Sequence, residues 1–140
     1  METIELTEEN IEVYLTDCVA VQQYIIKPEE IVDAERFKVT ASDSHSFLLG
    51  ILIDGHVIGL GEVCKLVHPV HTVGYVHNIV IDPAHRGKGI FSVIMDALEA
   101  KAKEWGCDQM NLTCSRVEVQ PLYEKRNYIK KDTNFYTLAI

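Results

Sequence analysis

Ile79-Val-Ile-Asp-Pro-Ala-His-Arg-Gly-Lys-Gly-Ile-Phe91 is the stretch that decides how this chain is read. Its β-branched start, Ile79, Val80 and Ile81, fits a buried strand. Asp82-Pro83 ends that strand, because proline has no N–H for the ladder and restricts the residue before it. Arg86-Gly87-Lys88-Gly89 then opens a segment of helical periodicity. The glycines let backbone N–H groups converge and a ligand approach closely, and the helix N-terminus adds a fixed positive pole. Strand, glycine turn and helix in this order describe a pyrophosphate cradle.

Two common cradles are excluded. A Walker A loop needs Gly-Lys followed by Ser or Thr, but Lys88 is followed by Gly89 and the first hydroxyl residue is Ser92. A dinucleotide loop needs a third glycine, and Ser92 holds that place. The remaining pattern is Arg or Gln, two residues, Gly, one residue, then Gly or Ala; it resembles the acyl-CoA loop of the GNAT N-acetyltransferase superfamily. Arg86 and Gly89 fit it, whereas Phe91 stands at the last small position. Downstream, Arg116 and the run Leu122, Tyr123, Glu124 and Lys125 match a second GNAT motif in order and spacing. Asn127-Tyr128 replaces the usual Gly-Phe, a mild change because Asn tolerates a left-handed helix cap. The resemblance spans residues 46–140.

It implies a single-domain GNAT-like α/β fold over residues 1–140, a mixed central β-sheet flanked by helices and splayed where acyl-CoA enters. It implies acetyl-CoA as acyl-donor substrate, a small-molecule primary amine as acceptor, and direct attack in a ternary complex. The cofactor contacts it implies are Ile79, Val80 and Ile81 along the pantetheine arm, and Arg86, Gly87, Lys88, Gly89, Ile90 and Phe91 around the pyrophosphate. The acidic second helix and residues 69–72 would line the acceptor side, and dimers are frequent in the family. The alternative is a non-catalytic acyl-CoA-binding or sensing protein on the same fold. Phe91 and the missing acidic residue just before the β-branched run motivate it.

The remaining composition agrees with one globular domain. Apolar content of 47% and charged content of 24% are ordinary, and no linker or repeat divides the chain. A formal net charge of −8 argues against a nucleic-acid partner, which calls for a basic face. It also makes any anionic ligand depend on local donors such as His85, Arg86, Lys88, Lys125, Arg126, Lys130 and Lys131. No stretch approaches the ~20 apolar residues of a membrane span, and residues 1–5 carry no leader-like pattern. Cys18, Cys64, Cys107 and Cys114 show no paired spacing, which suits reduced thiols and a cytoplasmic location. His68, His71 and His77 lack a carboxylate or cysteine at ligand spacing, so no metal is expected.

Periodicity predicts a strand over 2–6 and a helix capped by Thr7 running to about residue 24. A shorter helix from Pro28 to residue 35 follows, then two strands over 46–53 and 56–64 joined by Asp54-Gly55. Next come a strand over 74–81, a helix from Ile90 to Trp105 stopped by Gly106, and a strand over 109–114. A short helix over 118–125 and closing strands over 128–131 and 135–140 complete the chain.

Acetyl transfer to an amine requires a held thioester, a deprotonated amine and a protonated leaving thiolate. Tyr123 is the candidate acid, since a phenol near pKa ~10 can protonate a thiolate whose free thiol sits near ~8.5. His77 and Glu62 are the candidate bases. Regular alternation would put His77 on one face with Ile79 and Ile81, and Asn78 on the other with Val80. Gly89→Val is expected to abolish acetyl-CoA binding in an enzyme and in a sensor alike, measurable by titration calorimetry.

Overall fold

A computed structural model describes residues 1–140. Five strands, β1 (Glu2–Leu6), β2 (Ser46–Ile53), β3 (His56–Val67), β4 (Thr72–Ile81) and β5 (Gln109–Asn111), form one sheet in sequence order. Neighbours are antiparallel except β4 and β5, whose parallel pairing requires the crossover made by helix α3 (Ile90–Glu104). The sheet is therefore mixed. Helices α1 (Ile11–Gln22) and α2 (Ala34–Ser42) cover one face, α3 covers the other, and α4 (Gln120–Glu124) follows β5. No helix is long and apolar enough to cross a membrane.

Local chemistry sets most boundaries. Asp54 and Gly55, with φ of 51° and 79°, supply the two left-handed residues of the β2–β3 turn. The α1 start differs from expectation. Asn10 Oδ1 accepts from Thr7 N at 2.8 Å while its Nδ2 donates to Glu5 O, so residues 7–10 form a turn and the helix begins at Ile11. The second helix is also displaced. Lys27 and Glu30 close a turn around Pro28, and Asp33, accepting from Glu35 N at 3.0 Å, caps a helix starting at Ala34. Gly106, at φ 73°, ends α3, with Cys107 N donating to Ala102 O.

The apolar stripes resolve into two cores. Leu6, Ile11, Cys18, Phe37, Leu60 and Val80 meet under α1 and α2; Ile51, Val63, Val76, Ile94, Met95 and Leu98 meet under α3. Each fully buried large aliphatic contributes about 1.5–3 kcal/mol. Helix α3 sits close to the sheet because β3 offers a glycine beneath it. A Cβ built on Gly61 would lie 2.4 Å from Ile94 Cγ2.

The C-terminal third departs from expectation. The fifth strand is three residues long, α4 starts at Gln120, and residues 125–140 contain no regular element, so the closing strands are not formed. A strand needs a neighbour for its N–H and C=O groups, and within one copy of the chain that segment has none.

Gly61→Ala is expected to cost about 1–3 kcal/mol, because the stiff β-branched Ile94 cannot swing its Cγ2 aside. That corresponds to a melting-temperature drop of roughly 3–10 °C by differential scanning calorimetry.

Candidate active site

The loop after β4 is built by its own side chains. Asp82 accepts from Ala84 N at 2.9 Å, Pro83–His85 form a single 3-10 turn, and Arg86 Nε donates to Ile81 O at 3.1 Å. Gly87 and Gly89 then take φ of 75° and 77°, a region costly for residues with a Cβ. A Cβ at either position would meet nothing within 4 Å, so the demand is conformational and the space above the loop is open. The backbone N–H groups from Gly87 to Ser92 have no hydrogen-bond partner in the chain. Six unpaired donors at the start of a 15-residue helix make an anion cradle.

The cradle opens onto a cavity of about 670 Å³ between β4 and the segment after β5. The two strands pair only from Val73–Tyr75 to Gln109–Asn111 and then diverge. Eight of the nine residues expected to contact cofactor line the cavity: Ile79, Val80, Ile81, Arg86, Gly87, Gly89, Ile90 and Phe91. Lys88 is the exception; its Nζ lies 3.4 Å from His85 Nδ1. Leu112 to Arg116, Val119, Leu122 and Tyr123 form the opposite wall.

Alternation along β4 breaks at Asn78, whose φ is 52°. The register slips between Leu60 and Glu62, so Glu62 pairs with His77 while Leu60 pairs with Val80. Val76 and Val80, four residues apart, consequently belong to opposite cores. His77 stands directly across from Glu62, on the α1/α2 face with Val80 and not with Ile79 and Ile81 as regular alternation requires. Asn78 Nδ2 donates to Glu62 Oε2 at 2.8 Å on that same face. His77 is exposed and stacks on Tyr75, with ring centroids 4.6 Å apart.

Glu62 is only 8% exposed, and it is the one polar or charged side chain among the buried residues. Its other oxygen accepts from Cys64 Sγ at 3.3 Å. Burial pushes the Cys64 thiol up to about 11, so it stays protonated as a donor. Glu62 and Asn78 form one wall of a second cavity of about 300 Å³, completed by α2 residues including Arg36, Phe37 and Thr40. Residues 69–72 do not reach it, and of the acidic residues over 28–35 only Asp33 lines it. Asn78 lines both cavities.

Tyr123 sits across the larger cavity, half-buried. Its ring lies edge-on to Phe91 at 5.3 Å and to Tyr128 at 5.9 Å. Burial, and secondarily the nearby Cys114, push its phenol up to about 12. The Phe91 ring thus packs into an aromatic cluster on the α3 side. Arg126, one of the expected local donors, is committed elsewhere: it binds Glu99 in a bidentate pair and also Asp96. Sequence reasoning missed Asn78 as the hinge of the site. The available signal was an Asn inside a β-branched run, the non-glycine residue best suited to a left-handed φ.

Matches to known proteins agree with this geometry. The Acetyltransferase (GNAT) family profile matches residues 8–128, and the chain belongs to that family. Glucosamine 6-phosphate N-acetyltransferase 1 of Dictyostelium discoideum is 26% identical over 103 residues, covering 69% of this chain and 65% of the relative. The match thus spans slightly less than two thirds of that relative's length. The crystal structure of glucosamine-6-phosphate N-acetyltransferase from Arabidopsis thaliana superposes with a TM-score of 0.82 at 20% identity, covering 98% of this chain and 97% of the other. An acetyltransferase of Clostridium acetobutylicum solved with acetyl-CoA superposes with a TM-score of 0.79 at 18% identity, covering 98% and 95%. These two likenesses show the fold.

Asn78→Gly keeps the left-handed backbone and loses the bond to Glu62, whereas Asn78→Ala loses both. The alanine variant is expected to be less stable than the glycine variant by about 1–2 kcal/mol in urea denaturation. The reverse order would show that the bulge does not persist in solution.

Proposed function

We propose that this chain transfers the acetyl group of acetyl-CoA to a primary amine of a small molecule, by direct attack in a ternary complex. The observation that carries the reading is the gathering of these groups around β4. Six unpaired N–H donors and Tyr123 face one cavity, and Asn78 in its wall bonds the buried carboxylate of Glu62.

Gly87 to Ser92 hold the pyrophosphate through backbone donors, and β4 from Ile79 to Ile81 positions the pantetheine arm as an added strand would lie. Glu62, held by Asn78 and Cys64 with no cation beside it, takes a proton from the incoming ammonium. His77, directly across β3, is the second base candidate and could relay that proton through water. Tyr123 gives its phenolic proton to the departing thiolate. Because burial raises its pKa to about 12, it remains a proton donor throughout the neutral and moderately alkaline range. Glucosamine 6-phosphate, named in two of the similar proteins, is the first acceptor to test.

Two observations support the catalytic reading over the non-catalytic alternative. Phe91 packs against Tyr123, and Glu62 supplies the acidic group whose absence before the β-branched run favoured that reading.

Tyr123→Phe is expected to lower kcat by roughly 10²–10⁴-fold while acetyl-CoA affinity stays nearly constant. Unchanged turnover would remove Tyr123 from the mechanism. In the wild type, kcat should show no alkaline fall from Tyr123 below about pH 11, since a raised phenol pKa keeps the acid form populated. Acetyl-CoA at ~100 times its Kd adds about 2.7 kcal/mol and should raise Tm by roughly 8–12 °C, with little effect from ADP. The absence of any shift would sink the proposal.

A further inference from the structure

We propose that Arg36 selects the acceptor: the smaller cavity takes an amine that also carries an anionic group, with its ammonium at Glu62 and its carboxylate or phosphate at Arg36. The inference deepens the acetyl-transfer reading and rests on it.

Two different surfaces line that cavity. The sheet contributes Leu48, Glu62 and Asn78, and α2 contributes Arg36, Phe37 and Thr40. Asp33, Arg36, Phe37 and Thr40 stand at i, i+3, i+4 and i+7, so they share the helix face whose Phe37 is buried in the core. Arg36 is thus on the cavity side of α2 and yet open to solvent, with 88% of its side chain exposed. Among the lining residues it is the one cation, and Asp33 and Glu62 are the acids.

The guanidinium is free to engage a ligand. Asp33 Oδ1 accepts from Glu35 N at 3.0 Å as the cap of α2, and its Oδ2 lies 3.7 Å from Arg36 Nε. That separation is too long for a hydrogen bond, and an exposed pair of this kind contributes little. The other cation of α2 is used structurally: Lys38 reaches Glu12 at 2.6 Å and Glu35 at 3.2 Å.

One ligand that satisfies this layout needs charges of both signs. An ammonium belongs beside Glu62, which is buried and held only by the neutral donors Asn78 and Cys64. Val32, Phe37 and Leu48 supply apolar surface for a carbon skeleton, and a volume of about 300 Å³ sets a small-molecule size. On the helix side, Arg36 presents a planar fork of donors whose geometry matches a carboxylate or phosphate. A diamine would set a second cation against Arg36, and a simple alkylamine would leave the guanidinium unused.

Steady-state acetyl transfer, followed by release of the CoA thiol, tests this with matched amines. The pairs are glucosamine 6-phosphate beside glucosamine, γ-aminobutyrate beside butylamine, and phenylalanine beside phenethylamine. In at least one pair the anionic member is expected to have a kcat/KM higher by roughly 10–100-fold, the scale of one hydrogen-bonded charge. The pair that shows it separates phosphate from carboxylate. Arg36→Gln is expected to erase the ratio through the KM of the anionic member, and Arg36→Lys to restore part of it. Both variants should keep the wild-type melting temperature, because the side chain is exposed. Equal or lower kcat/KM for every anionic member, or a ratio that survives in Arg36→Gln, overturns the assignment while acetyl transfer stands. A fall in kcat equal for both members of a pair marks a structural effect and overturns it too. Turnover of no amine overturns both readings.

Discussion

One left-handed residue in the middle of β4 sets the geometry on which the site depends. Asn78 at φ 52° costs about 1–2 kcal/mol relative to ordinary extended backbone, and the hydrogen bond its Nδ2 donates to the Glu62 carboxylate offsets part of that. Because the bulge absorbs one residue, the strand changes the face it presents. Val76 packs under α3 before the bulge and Val80 under α1 and α2 after it. Pairing with β5 stops at Tyr75, before the bulge.

A second constraint ties the cradle to Tyr123. The α3 helix lies close to β3 and β4 because Gly61 and Gly74 stand beneath Ile94 and Ala102, which fixes the height of its N-terminus over the end of β4. Near the middle of the same helix, Asp96 and Glu99 grip Arg126, which follows α4, and so hold Tyr123 relative to α3. The Arg126 side chain is 18% exposed, and its bidentate geometry specifies orientation as well as attraction. The cradle thus belongs to α3 and Tyr123 to α4, which Arg126 ties to α3, while Glu62 and Asn78 belong to the sheet.

Much of this was legible in the sequence where the signal was local. Asp54-Gly55 signalled a hairpin, the stripe Ile90, Ile94, Leu98 and Ala102 a helix against a core, and Gly87 and Gly89 a turn of converging backbone N–H groups. Each expectation needs only a few neighbouring residues. The bulge needed more, because its existence depends on what Glu62 offers from the next strand, sixteen positions away. The helix boundaries at Ile11 and Ala34 were set by competing caps, Asn10 against Thr7 and Asp33 against Pro28, which sequence ranks poorly. The tail reads as strand because its composition is strand-like. Composition states what a segment can pair as, and it leaves open whether the neighbour lies in the same copy of the chain.

The overall charge of −8 would repel an anionic cofactor if binding depended on the mean field. The cradle avoids that dependence by using neutral donors. Backbone N–H groups carry no net charge, do not titrate, and are fixed in direction by the two glycine conformations, so they cost little reorganisation when an anion arrives. The nearby cations are already held: Arg86 by the Ile81 carbonyl and Arg126 by two carboxylates, while Lys88 lies beside His85. An acidic protein can thus carry a cluster of neutral donors on one side of its sheet and a buried carboxylate, Glu62, on the other.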